Sequence, residues 1–403
     1  MTSKGFRAMI AASLMTAAPL LAAKPFPELD SSGATILCYH IVEFPADPRM
    51  EISREAFRQQ MRYLDMTGYT VVPLRDIYEY STGKRASLPK NAVAITIDDG
   101  WRSTYTEAFP ELKKRHFPFT LFIYPKIIGM TPYALTWKQI KEMADAGADI
   151  ESHSLSHPFL TKRRHATFDA KQYGDWLQNE LVESRRILEK ETGRKVRFLA
   201  YPYGDYDHYL TTSVAKAGYD AALTCDYGRV SRGANPYRFK RVVIEKRMDF
   251  ATFRHYLGAR PLPLQDVTPL PGQLLDPGQM IISARIPNYE TLEPKSVGIA
   301  LLSMAGTIPY SYDSKSGLIS LMLNEGLQGT LQRALVWATE RKSGRRVEAS
   351  WTFRLPDIFS DPAFCPPIDP VSVAQRAPQT GGSAPASASA PRAQTAAAPR
   401  LQN

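Results

Sequence analysis

Seven histidines are spread over 403 residues, and two of them stand four apart in Glu151-Ser152-His153-Ser154-Leu155-Ser156-His157-Pro158. Imidazoles at i and i+4 can converge on one cation where the chain turns helically. The plain alternative is two unrelated surface or capping side chains. Adjacent carboxylates close an apolar run in Thr96-Ile97-Asp98-Asp99-Gly100-Trp101. Two such anions repel, and a cation bound by one of them offsets that repulsion; an ordinary Asp-Gly turn is the simpler reading. A third cluster, Ala200-Tyr201-Pro202-Tyr203-Gly204-Asp205, sets aromatic rings around a Pro-Gly loop. That loop suits a sugar-binding wall or a turn. Taken jointly, one Asp and two His make a three-ligand site with positions left for water and substrate. The second Asp is then a candidate general base.

All three clusters follow predicted strands, where α/β sheets place their ligand sites. Strands are expected at 35–39, 69–72, 92–97, 119–124, 148–151, 196–200 and 220–224. Between them run helical patterns. Ser53 caps a helix with Phe57, Met61 and Leu64 on one face. A short helix at 74–80 and one over 103–116, broken or kinked at Pro110, come next. Thr136 and Gln139 form a capping box. A long helix over 169–192 carries Leu177, Leu181 and Leu188, and Gly193 stops it. Repeated units of this length predict an α/β domain with a parallel sheet, closed as a (β/α) barrel or open and doubly wound. From 280 to 354 the pattern changes to short alternating segments divided by turns such as Asp313-Ser314-Lys315-Ser316-Gly317. That spacing predicts a small all-β sandwich.

The resulting organisation is a signal peptide over 1–23, an α/β domain over 24–260 and a Pro-rich linker over 261–274. A β-sandwich over 275–360 and a disordered Ala/Pro/Ser-rich tail over 361–403 follow. Lys4 and Arg7 precede an apolar run too short to span a bilayer, so export is expected, with no transmembrane helix after cleavage. Formal net charge is +10, and discounting Lys4, Arg7, Arg376, Arg392 and Arg400 leaves +5. The Lys162-Arg163-Arg164-His165 run reads as a solvated loop, and without an aromatic-interleaved basic stripe no nucleic-acid partner is expected. Three cysteines exclude a disulfide scaffold; Cys38 and Cys225 could be core residues or one bridge, and Cys365 is left over.

Over residues 34–257 the motifs Thr-x-Asp-Asp-Gly (96–100), His-Ser-x-x-His (153–157) and Tyr-Pro-Tyr-Gly (201–204) occur in an order that resembles the polysaccharide deacetylase family of metal-dependent carbohydrate esterases. The resemblance implies a distorted (β/α) barrel, here followed by the sandwich, which itself resembles immunoglobulin-like modules in its Trp351-Thr352-Phe353 strand. It also implies a divalent metal: zinc, with cobalt or nickel as alternatives. Asp98 matches the family's catalytic base, Asp99, His153 and His157 its metal ligands, and Tyr203 the residue whose backbone N–H stabilises the oxyanion. Ala200 replaces the arginine that usually opens the third motif, and the late segment bearing the acid histidine is missing. Both departures resemble the branch that deacetylates poly-β-1,6-N-acetylglucosamine, in which the acid histidine comes early. Tyr39-His40 then makes His40 the candidate acid, and Arg241 the candidate replacement for the lost arginine. The implied reaction is N-deacetylation of an exopolysaccharide outside the cytoplasm, with the periplasm preferred. Chitin-type or peptidoglycan glycans, or carbohydrate binding without catalysis, are the alternatives. For the sandwich, a spacer, a carbohydrate contact and a docking surface for a cell-envelope or export-machinery protein all remain open.

Overall fold

The computed structural model describes residues 33–43, 49–161, 167–275, 281–302, 308–323 and 331–355. The expected signal peptide, the tail, Cys365 and the run Lys162 to His165 lie outside these residues.

Strands Ala34–Tyr39, Ala92–Asp99, Thr120–Ile123, Asp149–Ser152, Phe198–Ala200 and Ala221–Leu223 lie side by side in sequence order, each parallel to the next. Thr70–Val71 pairs with Ala92–Asp99 away from this path. Residues 239–243 link the two ends of the row. Phe239 bridges Leu223 in parallel, and Val242–Val243 pairs in parallel with Ala34–Tyr39. The sheet is thus the curled wall of a (β/α) barrel.

Strand alternation decides what each face of that wall carries. In Ala92–Asp99, Val93, Ile95 and Ile97 pack outward with Phe57, Met61 and Leu112 of the helices. Ala92 and Ala94 pack the other way, with Ile36, Phe122, Phe198, Ala200 and Phe239. The same parity carries Thr96 and Asp98 onward from Ala94, and Cys38 and His40 onward from Ile36. The polar groups therefore emerge at the C-terminal end of an apolar interior.

Helices Arg54–Met66, Trp137–Asp145 and Ala170–Thr192 cover the outside. The expected caps are present: Ser53 accepts from the Ala56 N–H, and Thr136 with Gln139 closes a capping box. Gly193 ends the long helix in the left-handed conformation (φ 68°) that glycine adopts without strain. The helix expected over 103–116, broken or kinked at Pro110, is a helical run from Arg102 whose π turn, Thr104–Ala108, passes directly into the α-helix Phe109–Lys114. The irregularity lies just ahead of Pro110, whose missing N–H and ring disrupt the regular i to i−4 ladder there.

The β region contains two four-stranded sheets. One orders Arg260–Pro261, Arg346–Arg354, Leu331–Thr339 and Gly298–Leu301; the other orders Gln265–Thr268, Ile281–Arg285, Leu318–Met322 and Tyr310–Asp313. Ile282, Ile299, Ile319, Leu321, Val336, Trp351 and Phe353 share one core. The Pro-rich stretch at 261–274 is not a free linker. Leu262 and Leu264 are buried in this core and Gln265–Thr268 is a strand, because the apolar residues between its prolines have a core to enter.

Candidate active site

The Ala92–Asp99 strand delivers Asp98 and Asp99 to the top of the barrel, and the backbone turns there through a left-handed Asp99 (φ 78°). His157 and Tyr203 also have left-handed backbones, at φ 57° and 61°. Such conformations cost non-glycine residues of order 1–3 kcal/mol each and cluster where geometry serves a site. The Tyr203 turn also needs its glycine: a Cβ on Gly204, at φ 67°, would lie 2.6 Å from Cys225 Cβ.

Asp99, His153 and His157 converge. Asp99 Oδ1 lies 3.5 Å from His153 Nε2 and 3.4 Å from His157 Nε2. A tetrahedral ion bound at about 2.0–2.2 Å requires ligand atoms about 3.3–3.6 Å apart, so the spacing suits one divalent cation. Asp99 Oδ1 is buried without a hydrogen-bond partner, while Oδ2 accepts from Trp101 Nε1 at 3.0 Å. His153 Nδ1 lies 2.8 Å from the Ala200 carbonyl, which accepts only. The proton therefore belongs on Nδ1, leaving the Nε2 lone pair for a metal. Burial, and then His153 beside it, push the His157 pKa down to about 4, so the ring is neutral at physiological pH. Burial alone would raise the Asp99 pKa, but His153, His157 and His40 together outweigh it and hold the carboxyl well below its usual range.

Asp98 is turned to a different set of partners. Its Oδ1 accepts from Arg241 at 2.8 Å, and its Oδ2 lies 3.5 Å from Cys38 Sγ and 3.8 Å from His153 Nε2. Both Asp98 and Arg241 are buried. Burial pushes the Asp98 pKa up, yet Arg241 first and then His153 and His40 bring it below the ordinary value. A ring nitrogen of His40, a carboxylate oxygen of Asp98 and Cys38 Sγ lie within 4.8 Å of one another. His40 Nδ1 is buried and unpartnered. All seven residues singled out from the sequence thus stand at the same end of the barrel. Cys38 and Cys225 are free thiols.

Tyr201 and Tyr206 do not face a ligand; both are fully buried, stacked on each other at 5.8 Å. The partly exposed rim is formed by Trp101, Tyr124, Phe159 and Tyr203, with Phe159 stacked on Tyr203 at 4.0 Å.

Glu180 escaped the sequence reading. It lies on the buried face of Ala170–Thr192 and accepts from the Leu155 and Ser156 N–H groups at 3.1 and 3.0 Å and from Ser156 Oγ at 2.6 Å. The loop between the two histidines is thereby tied to the helix. A Glu and Ser184 on the same stripe as Leu177, Leu181 and Leu188 were the available signal, since buried carboxylates need partners. Replacing Glu180 with Ala leaves the buried Leu155 N–H unpaired, about 1–3 kcal/mol, and the partly buried Ser156 N–H with it. Titration calorimetry should show zinc binding weakened tenfold or more, in the 10–100-fold range typical of outer-shell losses; unchanged affinity would refute the role.

This barrel, with an Asp and two histidines converging as a candidate metal site beside a buried, arginine-held Asp, has the groups a hydrolase of the carbohydrate esterase type requires, and residues 85–222 match the family model for polysaccharide deacetylase. The chain thus carries a polysaccharide deacetylase domain and is an enzyme of that type. It is 29% identical over 223 residues to YxkH of Bacillus subtilis (strain 168), a provisionally named polysaccharide deacetylase, covering 55% of this chain and 75% of the relative. It is also 29% identical over 199 residues to the poly-beta-1,6-N-acetyl-D-glucosamine N-deacetylase of Staphylococcus epidermidis, covering 48% of this chain and 68% of that one. Among solved structures, IcaB from Ammonifex degensii superposes with a TM-score of 0.50 at 27% identity, over 57% of this chain and 99% of that one.

Proposed function

We propose that this enzyme hydrolyses N-acetyl groups of a β-1,6-linked N-acetylglucosamine polysaccharide, using a divalent ion, zinc by preference, held by Asp99, His153 and His157. The observation that carries the reading is the pair of neighbouring carboxylates with opposite duties: Asp99 turned to two histidines, Asp98 turned to Arg241. A bound divalent ion would polarise the acetamide carbonyl and acidify water. Asp98, kept ionised by Arg241, takes the proton from the attacking water. The Tyr203 backbone N–H faces the developing oxyanion, as the family pattern implies. His40 delivers a proton to the leaving nitrogen as the C–N bond breaks, giving acetate and a glucosamine unit.

The β-1,6 linkage is supported by the activity for which the Staphylococcus relative is named and by the early position of His40. Export, with the periplasm as destination, is supported by the N-terminal Lys4, Arg7 and apolar run; among the described residues no helix is long and apolar enough to cross a membrane. Acetate release by the full chain from β-1,6- and β-1,4-linked N-acetylglucosamine oligomers tests the reading, with and without a chelator. Release from the β-1,6 oligomer should stop on chelation and return with zinc, cobalt or nickel. Preference for the β-1,4 oligomer would overturn the linkage, and chelator-insensitive release would overturn the metal.

A further inference from the structure

Strand Arg346–Arg354 alternates as a half-buried strand does, with Val347, Ala349, Trp351 and Phe353 in the sandwich core. The opposite, polar face of such a strand normally meets water. Here Glu348, Ser350, Thr352 and Arg354 are each no more than 1% exposed. They are covered by loops and a helix of the barrel. Ser350 Oγ donates to the Tyr227 carbonyl at 3.0 Å, and Lys240 Nζ donates to the Ser350 carbonyl at 2.6 Å. His255 Nε2 lies 3.1 Å from Glu348 Oε1. Thr352 Oγ1 donates to Asp226 Oδ1. Arg354 donates to Asp207 Oδ2 at 3.0 Å and lies 3.9 Å from Asp205 Oδ1.

Two of these contacts lead to the site. Asp226 Oδ2 accepts from Tyr206 at 2.7 Å, and its backbone carbonyl accepts from the Arg241 N–H at 2.9 Å. Arg241 Nε in turn donates to the Thr224 carbonyl at 3.0 Å, and its guanidinium grips Asp98. Asp205 follows Tyr203-Gly204 directly and accepts from Thr161 at 2.5 Å. The polar face of one sandwich strand therefore buttresses the 224–227 loop that holds Arg241 and the 201–207 loop that carries Tyr203. A tethered spacer needs no such face: burying four polar side chains is costly unless each is matched, and here the matches come from the barrel.

We propose that the β-sandwich is a working part of the catalytic centre, with Thr352 and Arg354 as positioning residues that hold loops 201–207 and 224–227 and, through them, Tyr203 and Arg241. The proposal rests on the deacetylase reading above. Arg354→Met would strand two acidic side chains and risk unfolding, so the test uses Thr352→Val in the full chain, with Ser350→Ala as a milder break in the same face. Thr352→Val should lower kcat at least tenfold with KM within twofold and zinc stoichiometry retained, and Thr352→Ser should restore kcat to within threefold. Amide hydrogen exchange in 201–207 and 224–227 should quicken at least tenfold, while 92–99 stays as protected as in the wild type. Wild-type kcat and wild-type exchange in Thr352→Val would overturn the brace, as would equal losses of kcat in the Val and Ser variants. A wild-type chain silent on every N-acetylated glycan would overturn the deacetylase reading instead. Exchange would then decide the brace by itself: quickened loops support it and unchanged loops overturn it.

Discussion

Asp98→Asn should lower kcat about a thousandfold, within the 10²–10⁴-fold range of a positioned general base, while zinc still binds stoichiometrically. The substitution preserves the shape of the side chain and its acceptor oxygen but removes the proton-accepting charge. Asp99, His153 and His157 are untouched, since Asp98 reaches only His153 among them, at 3.8 Å. A thermal shift must accompany the kinetics, because Arg241 loses the carboxylate that neutralises it inside the barrel. The assignment fails if the folded, zinc-loaded variant turns over within tenfold of the wild type.

Arg241→Met should have the largest effect on stability and a distinct effect on pH. With its cation gone, Asp98 is an unpaired carboxylate only 1% exposed, and breaking a buried pair in this way costs about 3–5 kcal/mol. Arg241 is the principal group holding the Asp98 pKa below its ordinary value against burial. In the variant that pKa rises. A base must be ionised to act, so the acid limb of the kcat/KM profile should move to higher pH. The stability loss has the matching sign. A depressed carboxylate pKa contributes stability above the unfolded value, about 3.9, and loses it as pH falls. The variant's deficit should accordingly be greatest at neutral pH and shrink toward pH 3. Arg241→Lys should fall between the two, keeping the charge without the planar fork. An unmoved acid limb in Arg241→Met would show that Arg241 does not tune the base.

The candidate metal ligands and the candidate base were legible in the sequence for a local reason. Asp98 and Asp99 are adjacent, His153 and His157 are one short turn apart, and each cluster ends a strand whose apolar run is itself readable. These residues, with Tyr203, also lie inside the stretch matched by the family model, whereas His40 and Arg241 lie outside it. Parity along a strand was equally local: Ile36 facing inward commits Cys38 and His40 to the same side, and Ala94 commits Thr96 and Asp98.

Partnership across the barrel was not local. Arg241 stands 143 residues from Asp98, and the two meet only because residues 239–243 fill the gap between the first and last strands of the wall. In sequence it was one basic residue in Arg238-Phe239-Lys240-Arg241, of a kind that usually faces solvent, and only the family resemblance singled it out. Glu180 gains its role from a loop 25 residues upstream that happens to cross its helix. The alternation Glu348, Ser350, Thr352, Arg354 reads as a water-facing strand face, and packing against the barrel reverses that reading. Sequence by itself determined which side chains are candidates for the chemistry and which face of its own element each one takes, because periodicity and motif spacing act over a few residues. Tertiary structure alone decided which buried charge is matched by which partner. A low-dielectric interior punishes an unmatched charge, and the match is supplied by whichever distant segment the closing of the barrel and the docking of the sandwich bring alongside.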